Sequence, residues 1–271
     1  MSSLTIQQID QFRQVVYAYY DEHGRDELPW RIDTSPYAIL ISELMLQQTQ
    51  VARVIPKFNQ WLEQFPDFET LATAEQPDVL RVWQGLGYNR RGRYAHQSAQ
   101  LVVREFNGEL PLTQTELEQL PGVGPNTAGA IRAYAFNQPA VYIETNIRTV
   151  FIYHFLPDDK KVDDKQLQPI VEATLDTNNP RQWYWALMDY GVHLKQSVGN
   201  QGQRSKQYTK PSKFDGSLRQ LRAAVLRTVL KSGSLRLDDI ARQHPDSRLK
   251  AALSGLVHDG LLRQSDGKYH S

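Results

Sequence analysis

The sequence predicts an all-α domain followed by a small α+β domain at its C-terminal end. Apolar residues recur at helical spacing through about the first 200 residues, as Ile9, Phe12 and Val16 do near the N-terminus. No convincing alternating β pattern precedes residue 230. After residue 260, two short strand-like runs flank Asp266-Gly267, a dipeptide favoured in two-residue hairpin turns.

The helical segments follow one another closely along the chain. The spacing predicts helices over residues 6–20, 36–49, 51–65, 79–83, 90–106, 113–119, 147–155, 166–175 and 182–194. We predict a loop at Leu28-Pro-Trp-Arg31. Helices over 218–229, 237–242 and 247–259, followed by the hairpin, predict a winged-helix-like domain, a type that serves either DNA or protein contacts. The predicted parts are therefore a helical domain (1–196), a basic linker (197–214) and this domain (215–271).

Composition narrows the class of protein. The 271 residues include 31 basic and 30 acidic residues and no cysteine, which excludes disulfides, a cysteine nucleophile and a thiolate-bound cluster. No run of about 20 apolar residues or N-terminal signal pattern is present, so we expect a cytoplasmic protein of the bacterial cytoplasm or nucleoid, without membrane contact. We expect a monomer with no cofactor and no metal. Basic residues nevertheless cluster between Asp189 and Asp215, where acids are absent: Lys195, Arg204, Lys206, Lys210 and Lys213.

The segment from Leu120 to Ile131 carries the most specific local pattern. A polar helical stretch leads into Gly122 and Gly124, which can adopt positive φ and allow close backbone approach. Pro125 then suits the first position of a helix that continues through Thr127. Unpaired N–H groups at a helix start bind phosphate oxygens. The pattern predicts a helix-hairpin-helix that binds the DNA backbone, although a plain αα-hairpin has the same glycine turn.

Two isolated carboxylates lie in apolar surroundings. Glu43 interrupts a buried helical segment, and Glu144 interrupts the apolar run that precedes a helix. Burial disfavours the charged form of a carboxyl group, so Glu43 is a candidate general acid. Each also has a purely structural interpretation: Glu43 could form a salt bridge, and Glu144 could cap the helix that follows it.

Taken together, these motifs resemble the helix-hairpin-helix DNA glycosylases, most closely the MutY-type adenine glycosylases. The resemblance covers roughly residues 25–195. It is carried by Leu28-Pro-Trp-Arg31, Ser42 to Gln50, Gly85-Leu-Gly-Tyr88, Leu120 to Gly124, and Asn146. It implies two helical lobes with the target base entering between them, and duplex DNA containing a mismatch or lesion as the partner.

The resemblance also implies roles for individual residues. Such an enzyme breaks the C1′–N bond of a flipped nucleotide, so one carboxyl group protonates the base and another stabilises the sugar cation. Glu43 would be the acid, Glu144 the stabilising carboxylate, and Asn146 the residue that orients it. The implied base pocket comprises Trp30, Arg31, Leu46, Val51 and Asn126. The implied DNA contacts are Gln48, Thr49, Leu86, Tyr88, Arg90, Arg91, Gly122, Gly124, Thr127, Lys206 and Lys210.

The chain departs from the family pattern in four places. Glu144 stands where the family usually has aspartate, and a misplacement of about 1 Å can cost about 10²-fold in rate. The four-cysteine cluster is absent, and the basic segment 195–213 stands in its place. The module that reads 8-oxoguanine is replaced by the winged-helix-like domain. Asn126 stands where bifunctional relatives carry a Schiff-base lysine, and residues 58–159 contain no lysine.

Together with these departures, the resemblance implies a monofunctional glycosylase for adenine opposite 8-oxoguanine or guanine. Two alternatives stay open. The target base could instead be hypoxanthine, or uracil or thymine in a mismatch. The chain could also be a non-catalytic lesion-binding protein that has lost activity through Glu144. The helix start at Arg90 and Arg91 could likewise be only a solvated surface.

Overall fold

A computed structural model describes residues 4–210 and 213–271, and these are predominantly helical. The helices of the first half are α1 (Ile6–His23), α2 (Pro29–Ile32), α3 (Pro36–Leu46), α4 (Val51–Gln64), α5 (Phe68–Thr73), α6 (Gln76–Trp83) and α7 (Arg90–Glu105). The later elements are α8 (Gln114–Leu117), α9 (Pro125–Phe136), α10 (Thr145–Phe155), α11 (Asp164–Thr174), α12 (Pro180–Ser197), α13 (Leu218–Ser232), β1 (Ser234–Arg236), α14 (Leu237–Gln243), α15 (Leu249–His258), β2 (Arg263–Ser265) and β3 (Lys268–His270). The predicted fold class, helical with a small C-terminal α+β part, is confirmed.

Most predicted helices are present, and the differences have local causes. The predicted loop at residues 28–31 is wrong: Pro29 starts α2, because proline is compatible with the first helical turn. Helix α3 ends at Leu46 rather than near residue 49, since Gln48 adopts φ +55°, which a right-handed helix cannot continue. Helix α5 and strand β1 are too short to produce a periodic signal and were not predicted.

The described chain forms two compact units, each assembled from segments distant in sequence. The first unit comprises the described part of Met1–Ile39 with Leu112–Gln119 and Val123–Lys210. The second comprises Leu40–Pro111, Leu120–Gly122 and the described part of Pro211–Ser271. The predicted domain boundaries stay a prediction, because this division of the chain follows packing rather than sequence order.

The core of the first unit is built from α1, α10 and α12. Phe12 contacts Phe151 edge to face, with ring centroids 5.3 Å apart, and Trp183 at 5.8 Å. These three side chains are buried, as are Val16 and Ile147. Burial of this aromatic cluster fixes α10 against α12, and α10 begins directly after Glu144.

The segment after α12 is hydrogen-bonded, as far as residue 206, to the loop between α10 and α11. Arg204 donates to the backbone oxygens of Leu156 and Asp159, and its own carbonyl accepts from the N–H of Val162. The N–H of Lys206 donates to the Val162 oxygen at 2.8 Å. Residues 211 and 212 of the predicted linker lie outside the described residues.

The second unit combines α4–α7 with the C-terminal elements. Trp61 and Trp83 are fully buried and meet edge to face at 5.5 Å. The strands form one antiparallel sheet in the order β1-β3-β2. Asp266 and Gly267 connect β2 to β3 with φ +50° and +69°, as predicted for a two-residue hairpin turn.

Within the described ranges, no helix combines the length and apolar composition needed to cross a membrane.

Candidate nucleic-acid and catalytic site

The hairpin between α8 and α9 adopts most of the predicted geometry. Gly122 has φ +83°, and a Cβ there would lie 2.9 Å from Tyr94 Cδ2, so both conformation and space require glycine. Gly124 differs from the expectation, because its φ is −99°, a value open to any residue. It caps α9, with Pro125 at the first helical position as predicted.

The start of α9 has the properties of a phosphate-binding site. Gly124, Pro125 and Asn126 are exposed, and a Cβ built on Gly124 would meet no atom within 4 Å. The first N–H groups of a helix have no partner within the helix and carry its positive dipole end. Thr127 follows in the first turn and is half-buried. Open space in front of a helix start is what a phosphate oxygen needs in order to approach.

Asn126 fixes the backbone that leads to Glu144. Its Nδ2 donates to the Ile143 oxygen at 3.0 Å, and its Oδ1 accepts from the Ile143 N–H at 3.4 Å. Both hydrogen-bonding groups of the amide are therefore used to hold one residue. The residue predicted to line the base pocket thus also positions the chain immediately before the candidate carboxylate.

Glu144 is the N-cap of α10. Its Oε1 accepts hydrogen bonds from the N–H of Asn146 and from that of Ile147, the latter at 2.9 Å. Asn146 Nδ2 faces the other carboxylate oxygen at 3.5 Å. The predicted contact between Asn146 and Glu144 is present. The capping interpretation is correct as well, and the two are compatible because N–H donors stabilise an ionised carboxylate.

A lysine extends this arrangement. Lys195, on α12, donates from Nζ to Asn146 Oδ1 at 2.6 Å. Burial raises the pKa of Glu144 above its ordinary value, against the opposing effects of the Ile147 N–H and the Lys195 charge. Burial lowers the pKa of Lys195, while the carboxylate of Glu144 opposes that shift. The N–H groups of the cap and the nearby ammonium group therefore oppose the rise in the pKa of Glu144 that burial causes.

Gly191 permits the close approach of α12 to Asn146 at the start of α10. A Cβ on Gly191 would lie 2.7 Å from the backbone oxygen of Asn146 and 2.8 Å from its Cβ. Both distances are shorter than side chains tolerate, so any larger residue would displace Asn146. The position of Lys195, one helical turn further along α12, depends on the same close contact.

Glu43 lies on α3 in the second unit, between buried neighbours. Ser42 and Leu44 are fully buried, whereas Glu43 is half-buried. The structure thus places Glu43 on the predicted helix at a partly exposed position, and its role as the acid stays a prediction. Leu46 and Val51, predicted base-pocket residues, are half-buried at the end of α3 and the start of α4.

Arg91 has a structural role, which corrects the predicted phosphate contact. Its guanidinium is buried and donates to backbone oxygens and one hydroxyl around the segment between α3 and α4. The acceptors are the backbone oxygens of Leu44, Met45, Gln47, Leu86 and Gly87, and Thr49 Oγ1. Burial lowers the pKa of Arg91 to about 10, which leaves it charged at neutral pH. Arg91 therefore holds the two turns that present Gln48 and Tyr88, while Arg90 is exposed.

The four predicted duplex contacts around these turns differ in exposure. Gln48 and Tyr88 are exposed and have φ +55° and +45°, unusual values for residues other than glycine. Thr49 is half-buried and Leu86 is buried. The exposed pair is available to a duplex. The other two residues mainly support the turns.

Arg31 and Trp30, predicted for the base pocket, lie in the first unit. Both are buried, and Arg31 forms a bidentate ion pair with Asp189, at 2.7 and 2.9 Å. Arg25 binds the same carboxylate. Arg31 also borders an open pocket of about 390 Å³, which does not include Glu144 and is not the candidate catalytic site.

The two predicted lysine contacts differ in their surroundings. Lys206 is exposed, and its Nζ lies 3.3 Å from the Asp163 carboxylate, whose negative charge partly offsets the attraction of this lysine for a phosphate. Lys210 is exposed at the end of the first unit.

Sequence reasoning missed Lys195 and Gly191 as parts of the Glu144 arrangement. The available signal was their spacing of four residues, which places two residues on the same face of a helix.

Over part of its length the chain is similar to proteins of base excision DNA repair. Residues 41–173 match the description "HhH-GPD superfamily base excision DNA repair protein". The adenine DNA glycosylase of Buchnera aphidicola subsp. Baizongia pistaciae is 36% identical over 182 residues, covering 67% of this chain and 52% of that protein. The adenine DNA glycosylase of Homo sapiens is 36% identical over 199 residues, covering 69% of this chain and 36% of that protein. The chain thus spans about half, or less, of the length of these relatives.

Solved structures agree on the fold. A thermostable thymine-DNA glycosylase superposes with a TM-score of 0.63 at 22% identity, covering 69% of this chain and 87% of that one. Endonuclease III in a non-covalent DNA complex gives a TM-score of 0.56 at 20% identity, covering 72% and 87%. At such identities the likeness concerns the fold alone.

Proposed function

Since residues 41–173 make this chain a member of the helix-hairpin-helix superfamily of base excision DNA repair proteins, we propose that it is a monofunctional adenine DNA glycosylase. Its substrate is adenine opposite 8-oxoguanine or guanine in duplex DNA. The observation that supports this most strongly is the arrangement of Glu144, Asn146 and Lys195 at the start of α10. The names of the relatives support adenine as the target base.

The proposed reaction divides the charge changes between two carboxyl groups. When the C1′–N bond breaks, its electron pair leaves with the base and the sugar becomes an oxocarbenium ion, to which water adds. Glu43 protonates a ring nitrogen of the departing adenine. Glu144 remains ionised and balances the positive charge at C1′, a role supported by the helix start and the Lys195 ammonium group.

The absence of strand cleavage is part of the proposal. Asn126 occupies the hairpin position at which bifunctional relatives carry a lysine, and its amide holds Ile143. A carboxamide cannot form a Schiff base with C1′. Lys195 is the lysine beside Glu144 and donates to Asn146, so it is the residue to examine if an adduct forms.

The experiment compares four duplexes under single-turnover conditions. They contain adenine opposite 8-oxoguanine, adenine opposite guanine, uracil opposite guanine, and hypoxanthine opposite thymine. We expect excision of adenine only, revealed as strand breaks after alkali and not before. Glu144→Gln protein purified in the same way controls for a contaminating glycosylase.

Three results would contradict the proposal. Preference for uracil or hypoxanthine would reassign the substrate, and tight binding without excision of any base would indicate a lesion-binding protein. A borohydride-trapped adduct would show lyase chemistry. Loss of that adduct in Lys195→Arg would identify the lysine responsible.

A further inference from the structure

The turn between α6 and α7 presents Tyr88 at the surface on a fixed backbone. Tyr88 has φ +45° and lies directly after Gly87, whose φ is +75°. The Gly87 oxygen accepts hydrogen bonds from Trp83 Nε1 at 3.2 Å and from Arg91 at 3.1 Å. The tyrosine itself remains 37% exposed. An aromatic ring is therefore held at the surface of the second unit by two buried donors.

Helix α13 places a guanidinium group against this ring. Arg219 Cζ lies 4.9 Å from the centroid of the Tyr88 ring and 5.4 Å from that of Phe214. Arg219 also donates a hydrogen bond to Tyr88 Oη. Stacking uses the faces of a guanidinium, whereas phosphate is bound by the N–H donors along its edge, one of which donates here to Tyr88 Oη. Phe214 is 46% exposed, so this stack lies at the surface.

Three more arginines lie close in sequence to the two partners of this stack. Arg90 Nε lies 3.6 Å from the Asp259 carboxylate, Arg222 donates to the other oxygen of that carboxylate, and Arg93 donates to the Asp259 backbone oxygen at 2.7 Å. These contacts bring three guanidinium groups together around one carboxylate, and Arg222 lies three residues after Arg219 on α13. The excess of positive charge favours a polyanion as the binding partner.

The C-terminal elements are packed firmly enough to hold this arrangement. Leu80 of α6 belongs to the same buried apolar cluster as Val225 and Leu226 of α13. Arg81 donates to the Leu230 oxygen at 3.2 Å, and Gln76 donates to the Gly260 oxygen at 3.0 Å. All of these residues belong to one compact unit. The contact between Arg219 and Tyr88 is therefore part of a packed interface.

From these contacts we infer that Phe214, the first turns of α13 and the Tyr88 turn form one continuous binding surface for the phosphate backbone of duplex DNA. Arg219 is its central phosphate contact. The inference rests on the proposed function, because it extends the DNA interface of a glycosylase into the C-terminal elements. It also selects between the two roles open to a winged-helix-like domain and favours DNA over a protein partner.

The test measures how DNA affinity depends on salt. An undamaged, fluorescently labelled duplex is titrated between about 50 and 200 mM salt with wild type, Arg219→Ala, Arg219→Lys and Arg227→Ala. Arg227 is an exposed arginine of the same helix and serves as the matched control. We expect the log–log slope to become shallower by about 0.9 in Arg219→Ala, the value for one lost phosphate contact. Arg219→Lys and Arg227→Ala should keep the wild-type slope.

The outcomes separate this inference from the proposed function. A wild-type slope in Arg219→Ala would overturn the DNA surface, as would equal losses in Arg219→Ala and Arg227→Ala, because the effect would then be general electrostatics. If wild type itself fails to bind DNA, the proposed function fails as well. Thermal unfolding of each variant shows whether it is folded. If the alanine variant unfolds, Arg219→Gln replaces it, because it removes the charge but keeps a long polar side chain, and the same loss of about 0.9 in slope is expected.

Discussion

Lys195 determines which way the Asn146 amide faces. An ammonium group can only donate hydrogen bonds, so the 2.6 Å contact from Lys195 Nζ must be made to Asn146 Oδ1. The amide nitrogen is then directed toward the Glu144 carboxylate, at 3.5 Å. One lysine therefore fixes the donor that faces the candidate catalytic group and also supplies a positive charge near it.

Replacing Lys195 should shift the pH dependence of excision. Glu144 must be ionised to act, and the nearby positive charges of Lys195 and Arg148 lower its pKa, against the raising effect of burial. Lys195→Met removes one of these charges, so the pKa of Glu144 rises further. The acid limb of the single-turnover rate should move to higher pH, and the neutral-pH rate should fall. Lys210→Met is the control, and an acid limb that stays in place in Lys195→Met would contradict this coupling.

Gly191→Ala should damage the catalytic arrangement and the fold together. The new Cβ would lie 2.7 Å from the Asn146 backbone oxygen, so α10 or α12 must shift. Overpacking of this kind costs about 1–3 kcal/mol. Urea unfolding should show that loss, accompanied by slower excision. Gly124→Ala is the matched control for stability, since its Cβ meets no atom within 4 Å, and equal stability of the two variants would argue against the close contact.

Substitutions at Arg90 and Arg91 should affect different properties, DNA binding for Arg90 and stability for Arg91. Arg91→Met leaves several buried carbonyl oxygens without a donor, and each such group costs about 1–3 kcal/mol, so we expect a loss of at least about 3 kcal/mol. Arg90→Ala alters an exposed side chain and should change stability by no more than about 0.5 kcal/mol while weakening DNA binding. Urea unfolding and a duplex titration measure both effects. A stable Arg91→Met protein would contradict the structural role.

The sequence was sufficient to predict the features that depend on local pattern. The helix order, the glycine at Gly122, the proline at the start of α9 and the Asp266-Gly267 turn are all signalled by nearby residues. The contact between Asn146 and Glu144 spans two residues, and it was implied by the resemblance to the glycosylase family rather than by local pattern. Such features require no knowledge of which distant segments pack together.

Features set by long-range packing were not predictable. Nothing in the run Arg90-Arg91 tells which guanidinium turns inward, yet Arg91 is buried and Arg90 is exposed. Lys195 lies 49 residues from Asn146 in the chain and meets it only because Gly191 lets two helices approach. The contact of Arg219 with Tyr88 spans 131 residues. Composition and spacing indicate that such residues are charged or small, not what they contact.

The central claim is that Glu144 balances the charge that develops at C1′, and one comparison tests it most directly. Single-turnover excision of adenine opposite 8-oxoguanine is measured for wild type and Glu144→Gln, with DNA affinity and thermal unfolding as checks on folding. The glutamine can still cap α10 but carries no charge, so we predict a rate at least about 10²-fold lower at nearly unchanged affinity. Glu144→Asp, which keeps the charge with a shorter reach, should retain partial activity. An active wild type whose rate is unchanged in Glu144→Gln would contradict the assignment.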